Sequence, residues 1–296
     1  MNNQERKRIE LVVEQGRKHW VGDGFYVHGF VGSRPELSMR EMDPFIMLDY
    51  NERMTVPPSR VRRGVDVHPH KGFETVTIAY EGYVEHADSA GHKDVIRPGD
   101  VQWMTAGRGI LHQEYYEADW AERGGHFHVI QLWTNLPAKY KLVEPRYQPI
   151  TKAQMVRYEL SADGSSYVEV IAGQYMDAVG PVQTYSPVHL MNAHLGTGVE
   201  AIFSFPAEYT TALVVVRGAI EVEGQMVKAN HLVKFDRVGD VFSLKGLEAD
   251  TCVLVMSGEP FHEPIVPYGA FVMNTEEEIH EAIADYRAGR FGRIEA

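Results

Sequence analysis

Apolar and polar positions alternate in short runs along almost the whole chain. Clear examples are Ile9-Glu-Leu-Val-Val13, Phe25-Tyr-Val-His-Gly-Phe-Val31, Thr75-Val-Thr-Ile-Ala-Tyr80, Tyr167-Val-Glu-Val-Ile171, Ala212-Leu-Val-Val-Val216 and Cys252-Val-Leu-Val-Met256. Glycine, proline, asparagine and aspartate separate these runs. Many short strands at such spacing predict an all-β sandwich or barrel rather than βαβ units. The clearest helix comes at the end. Asn274 or Thr275 can cap it, Glu276, Glu277 and Glu278 suit its positive N-terminus, and Ile279, Ile283 and Tyr286 give one apolar stripe before Gly289.

The two halves resemble each other. Ala79-Tyr-Glu-Gly82 leads through a polar hairpin to Pro98-Gly-Asp-Val101, and Val216-Arg-Gly218 leads through Glu223-Gly-Gln225 to Val238-Gly-Asp-Val241. An offset of roughly 140 residues is too long for a solenoid repeat and suits a duplicated domain. The pattern predicts two tandem β-barrels: 1–140, a linker over 141–150 near Pro145 and Pro149, and 151–296 ending in the helix.

Composition narrows the functional classes. The chain has 296 residues, 44% hydrophobic, with a formal charge of −12 from 29 Lys+Arg and 41 Asp+Glu. That balance argues against a direct nucleic-acid surface, and Arg60, Arg62 and Arg63 beside Pro57 and Pro58 read as a solvated loop. The single cysteine, Cys252, excludes a disulfide framework and reads as a small buried side chain. The polar Met1-Asn-Asn-Gln-Glu-Arg-Lys-Arg8 lacks a secretory apolar stretch, and no run is long enough to span a bilayer. A soluble, cytoplasmic protein without membrane partners is expected.

Chemistry is concentrated in the first half. His68-Pro-His70 and His112-Gln-Glu114 each place two side chains on one face of a strand. Facing pairs inside a barrel would offer three imidazoles and one carboxylate, which suits an octahedral divalent transition metal such as iron with two positions open. Zinc, which commonly takes three protein ligands at catalytic sites, is less natural. With 14 histidines, about one His-x-His is expected by chance, and His126-Phe-His128 is a second. His126 and His128 read as packed or surface residues, and His86 and His92 as solvated loop histidines. Glu74, four residues after His70, rivals Glu114 for the carboxylate position. Aligning Gly82 with Gly218 sets Ser204 and Pro206 opposite His68 and His70, and Thr210 opposite Glu74. Aligning Gly99 with Gly239 sets Cys252 opposite His112, so one metal site is expected, in the first barrel.

His68-Pro-His-Lys-Gly-Phe-Glu-Thr-Val76 and Pro98-Gly-Asp-Val-Gln-Trp-Met-Thr-Ala-Gly-Arg-Gly-Ile-Leu-His112 with Glu114 resemble the pirins, a branch of the bicupins. Asp43-Pro-Phe45, Gln131-Leu-Trp133, Gly258-Glu-Pro260 and Phe271-Val-Met-Asn-Thr275 extend the likeness over nearly the whole chain. The resemblance implies two tandem cupin barrels with a C-terminal helix. It implies one divalent metal, iron first and manganese, nickel, cobalt, copper or zinc as alternatives, on His68, His70, His112 and Glu114. Glu74, the carboxylate of many other cupins, then supports the ligands. The short Gly64-to-His68 spacing and Thr105 in place of the usual cupin proline before Gly107 depart from the general cupin pattern and fit the pirin branch. Two activities come with the likeness. One is quercetin 2,3-dioxygenase chemistry on a flavonol-like molecule and O₂, with carbon monoxide released, Glu114 as proton acceptor and Gln131 lining the pocket. The other is a metal- or redox-sensing regulator that contacts a protein partner.

Overall fold

A computed structural model describes residues 5–294. The chain divides into two compact units, Gly16–Lys152 with Phe261–Ala296, and Met1–Gln15 with Ala153–Pro260. Each is an antiparallel β-structure built on a seven-stranded and a four-stranded sheet, with a further two-stranded ribbon among the described residues.

In the first unit the seven-stranded sheet runs Arg146–Ile150, Val101–Thr105, Phe73–Glu81, Gly125–Asn135, Phe45–Val56, Phe25–Gly29, His19–Val21. Its four-stranded sheet runs Gly64–His70, Ile110–Tyr116, Val84–Asp88, Lys93–Ile96. The second unit repeats the plan. Its larger sheet runs Ile9–Glu14, His231–Phe235, Thr210–Arg217, Thr251–Gly258, Val188–Leu195, Tyr167–Ala172, Val156–Glu159, and its smaller one Glu200–Ser204, Val241–Gly246, Ala219–Val222, Gln225–Lys228. The bicupin expectation and the closing helix are both present, the helix spanning Glu276–Arg287. Thr275 is its cap, in a reciprocal capping box with Glu278. Among the described residues, no helix is long and apolar enough to cross a membrane.

The expected boundaries need correction. Residues 141–150 are not a linker, because Arg146–Ile150 pairs along its whole length with Val101–Thr105. The C-terminal helix belongs with the first barrel, where Ile279 and Ala282 pack with Phe271, Met273 and Phe291. Conversely, Ile9–Glu14 is an edge strand of the second unit, paired with His231–Phe235. An edge strand is recruited by whichever sheet offers unpaired backbone groups, and sequence order carries no trace of that.

The strand order also corrects the internal alignment. Gly99 has φ +90° and donates its N–H to the Ala79 carbonyl at 2.7 Å; Asn230 has φ +66° and donates to Val215 at 2.8 Å. Asn230, and not Gly239, is therefore the counterpart of Gly99. Asparagine tolerates the left-handed conformation nearly as glycine does, so matching glycines picked the wrong turn. Cys252 lies on Thr251–Gly258, the equivalent of Gly125–Asn135, and not opposite His112.

With the register set by pairing, His68 faces His112 as Phe203 faces Phe242. His70 then corresponds to Phe205, and Glu114 to Leu244. Phe203 and Phe242 stack at 5.2 Å, and Phe203, Phe205, Phe242 and Leu244 all lie in the second core. The second barrel therefore fills with hydrocarbon the positions at which the first carries histidines and a carboxylate. Phe242→Ala is expected to cost about 3–5 kcal/mol of stability in urea unfolding, while leaving metal content per chain unchanged.

Candidate metal centre and pocket

The strand Gly64–His70 is an edge of its sheet, which is why Pro69 can sit between two histidines without breaking a ladder. His68 and His70 project to one side, and His112 comes from the neighbouring strand. Their ring centroids are 4.8 Å (His68–His70), 4.3 Å (His68–His112) and 4.6 Å (His70–His112) apart. The register shifts between His112 and Glu114 because Gly64–His70 carries an extra residue between Val65 and His68. Glu114 stays in regular register with His86 and so keeps the face of His112. After His70 the chain turns through Gly72 at φ +89°, where a Cβ would lie 2.1 Å from the Val272 carbonyl oxygen. Glycine is required there.

His68 is half-buried and its Nδ1 contacts the Asp66 carbonyl at 2.7 Å, leaving Nε2 for the interior. His70 Nδ1 and both ring nitrogens of His112 are buried without a hydrogen-bond partner among the described residues. Burial, reinforced by the neighbouring His68, holds His70 well below the usual imidazole range. Burial and the charges of His70, His68 and His86 do the same to His112. Both are neutral imidazoles near neutral pH, the form that binds metals.

Glu114 is buried and lines the cavity. Its Oε1 accepts from the Thr77 hydroxyl at 3.0 Å and Gln102 Nε2 at 3.2 Å, and its Oε2 from Gln131 Nε2 at 2.7 Å. These donors come from three adjacent strands of the larger sheet. Gln131 thus lines the pocket and orients the carboxylate. Two sets of donor atoms lie within 4.8 Å of one another: His68, His70 and His112, and His86, His112 and Glu114. His112 belongs to both.

His86 corrects its sequence reading. It is fully buried on Val84–Asp88, with Nε2 3.2 Å from Asp88 Oδ2, and it stacks on Tyr147 at 4.7 Å. The overlooked signal is the alternation Val84, His86, Asp88, which puts all three on one buried face. His92 matches its loop reading better: its side chain is 42% exposed and its Nδ1 reaches Asp88.

Glu74 is buried away from the cavity. It falls out of step with Thr77 along Phe73–Glu81 and so takes the opposite face of the sheet, accepting from the Thr105 hydroxyl at 2.6 Å. Burial pushes its carboxyl up to about 7, against the opposing pull of hydrogen bonds led by Thr105. His128 is buried against the Tyr50 hydroxyl at 2.8 Å and His126 is exposed, so the second His-x-His stands outside the cluster. Cys252 is buried, its thiol pushed up to about 12 by burial. Arg60 and Arg62 make surface ion pairs with Glu122 and Glu85.

The cluster opens on a cavity of about 160 Å³. His68, His70, Glu114 and Gln131 form its polar end; Phe25, Val27, Val129 and Trp133 form apolar walls. Asp49 and Asn51 enter from the neighbouring strand, and Ala270 from the C-terminal segment.

Two family models cover most of this architecture: the pirin model matches residues 26–134, and the pirin C-terminal cupin domain matches 190–292. This chain belongs to the pirin family. The crystal structure of a quercetin 2,3-dioxygenase from Acinetobacter baumannii superposes with a TM-score of 0.91 at 41% identity, covering 98% of this chain and 100% of that one. A Pseudomonas aeruginosa relative whose quercetin 2,3-dioxygenase name is provisional is 42% identical, over 97% of this chain and 99% of its own. Pirin of Rattus norvegicus is 35% identical over 97% and 94%.

Two measurements test the geometry. His112→Ala is expected to abolish metal retention, and Glu114→Ala to weaken it more than Glu74→Ala; half-exposed His92→Ala should leave it intact. Elemental analysis after dialysis reads all four. Glu74 also makes stability depend on pH. Its carboxyl is at about 7 folded against 4.5 normally, so the folded state holds the proton more tightly. Stability from this residue is full below pH 4.5 and falls as the pH rises through 7, by about 3 kcal/mol in all. Glu74→Gln should remove that part of the slope in urea midpoints taken across the window.

Proposed function

We propose that this pirin is a metal-dependent dioxygenase that opens the central ring of flavonols such as quercetin with O₂ and releases carbon monoxide. The observation that carries the proposal is a set of imidazole nitrogens without a hydrogen-bond partner among the described residues, beside an oriented carboxylate, at the polar end of an otherwise apolar cavity. Buried acceptors without donors are costly, and a cation is the partner that neutral imidazoles can share. His68, His70, His112 and Glu114 would hold one divalent transition metal, iron first, with manganese, nickel, cobalt, copper and zinc to be compared by reconstitution. A redox-active metal in that set supplies the electron transfer that lets O₂ react with a closed-shell organic anion.

The protein's own groups do the rest. Val27, Val129 and Trp133 seat an aromatic ring and exclude water from it. Gln131 fixes Glu114 Oε2 at 2.7 Å on the cavity side. Glu114 takes the proton of the flavonol 3-hydroxyl, making the substrate anionic where it is to react. A lone buried thiol suits the reducing cytoplasm, where we place the protein.

About one metal per chain is expected, with O₂ uptake and carbon monoxide release from quercetin rising in proportion to metal content and vanishing on chelation. Glu114→Gln should keep the shape of the site and lose turnover; if Glu74→Gln alone abolishes turnover, the proton goes elsewhere and this mechanism fails. A metal-loaded protein that neither consumes O₂ nor releases carbon monoxide would transfer the assignment to a metal-sensing regulator.

A further inference from the structure

One lateral row of side chains crosses the inner face of the larger sheet in the first barrel. Pairing sets Gly29 beside Asp49, Asp49 beside Gln131, Gln131 beside Thr77 and Thr77 beside Gln102. The equivalent row in the second barrel is Val170, Met191, Val255, Leu213 and Val233, all core residues. Three members of the polar row, Gln131, Thr77 and Gln102, donate to Glu114. Asp49 has another fate. It lines the cavity, yet accepts no hydrogen bond from any described residue, whereas Asn51 beside it accepts from the Tyr26 N–H and donates to the Glu52 carbonyl. Burial raises its carboxyl above the usual range, with a smaller opposing effect of His19. Gly29 gives it room: a Cβ there would come within 3.2 Å of Asp49 Oδ1.

We infer that Asp49 is the specificity-determining residue of this pocket, accepting a hydrogen bond from a ring hydroxyl of a polyhydroxylated aromatic ligand. Asp49 is only partly exposed, and its carboxylate lines the cavity beside Gln131 with no donor from any described residue, so it is available to accept one. The other polar groups of the cavity are engaged: Asn51 with the backbone of Tyr26 and Glu52, Gln131 with Glu114, and His68 and His70 in the histidine cluster. A cavity of about 160 Å³ encloses roughly one aromatic ring, by comparison with an engineered cavity of about 150 Å³ that takes benzene. One hydroxyl therefore addresses the histidine end, and a second, further along the ring system, addresses Asp49. This rests on the flavonol reading above and adds which flavonols the pocket prefers.

The probes are quercetin, which carries several ring hydroxyls, and 3-hydroxyflavone, which keeps the 3-hydroxyl and carbonyl and lacks the others. Binding is titrated calorimetrically on the metal-loaded protein without O₂, so that no turnover intervenes. The wild type is expected to prefer quercetin by about tenfold or more, as sites built to pair a hydroxyl do. Asp49→Leu, close in shape and unable to accept, should erase that preference through a loss of quercetin affinity, with metal content unchanged. Asp49→Asn provides the same comparison if the leucine variant does not fold, with the preference reduced. A preference that survives both substitutions, or a wild type without one, overturns the assignment. The two readings separate cleanly. Asp49-dependent binding without O₂ uptake sinks the dioxygenase alone, and turnover with a preference indifferent to Asp49 sinks this inference alone.

Discussion

A nitrogen or oxygen stripped of water inside an apolar barrel needs a partner, and the first unit is organised by how it meets that need. Leaving one such group unpaired costs about 1–3 kcal/mol. Glu114 is served by three donors on three adjacent strands, in register on the inner face of one sheet. The imidazoles of His70 and His112 have nitrogens that no described residue serves. The same burial that leaves them partnerless keeps them neutral. A site poised for a cation and a core short of hydrogen bonds are thus two descriptions of one arrangement.

The second unit shows that the scaffold does not need this arrangement. It repeats both strand orders, and at position after position it replaces a polar group with hydrocarbon. Phenylalanines stand for His68, His70 and His112, Leu244 for Glu114, and Met191 for Asp49. Sheet pairing and the alternation of faces hold each barrel together. What fills the barrel is free to vary, provided that polar groups come as a connected set. Only in the first unit do the described residues supply such a set.

The histidine strand is also braced from far along the chain. Lys71, next to His70, donates to Asp285 at 2.7 Å, across 214 positions of sequence. Lys141 is buried, its amine lowered to about 8 by burial, and it donates to the carbonyls of Gly72 and Val272 at 2.8 and 2.9 Å. The backbone after His70 is therefore pinned on both sides. Ligands carried by a fixed backbone keep their geometry without help from a bound ion.

Short alternating runs along the chain named the all-β class, recurring glycine turns named the duplication, and a cap with an apolar stripe named the final helix. Period two made His68/His70 and His112/Glu114 candidate pairs by putting i and i+2 on one face. It fell short where partners lie far apart in sequence. His86 looked like a loop residue because its neighbours are polar, yet the strand it belongs to is buried against Tyr147 and His112. Spacing put Glu114 on the face of His112 but left the direction of Glu74 open, since its parity depends on where the strand starts after the Gly72 turn. The helix and the first strand changed barrels relative to their place in the chain, because free sheet edges and apolar faces select their partners in space. Asp49 carried no signal at all in the sequence. Only the pairing of Phe45–Val56 with Gly125–Asn135 sets its carboxylate beside Gln131 and into the cavity. Local periodicity is written in the order of residues, whereas the company each face keeps is decided by which strands meet.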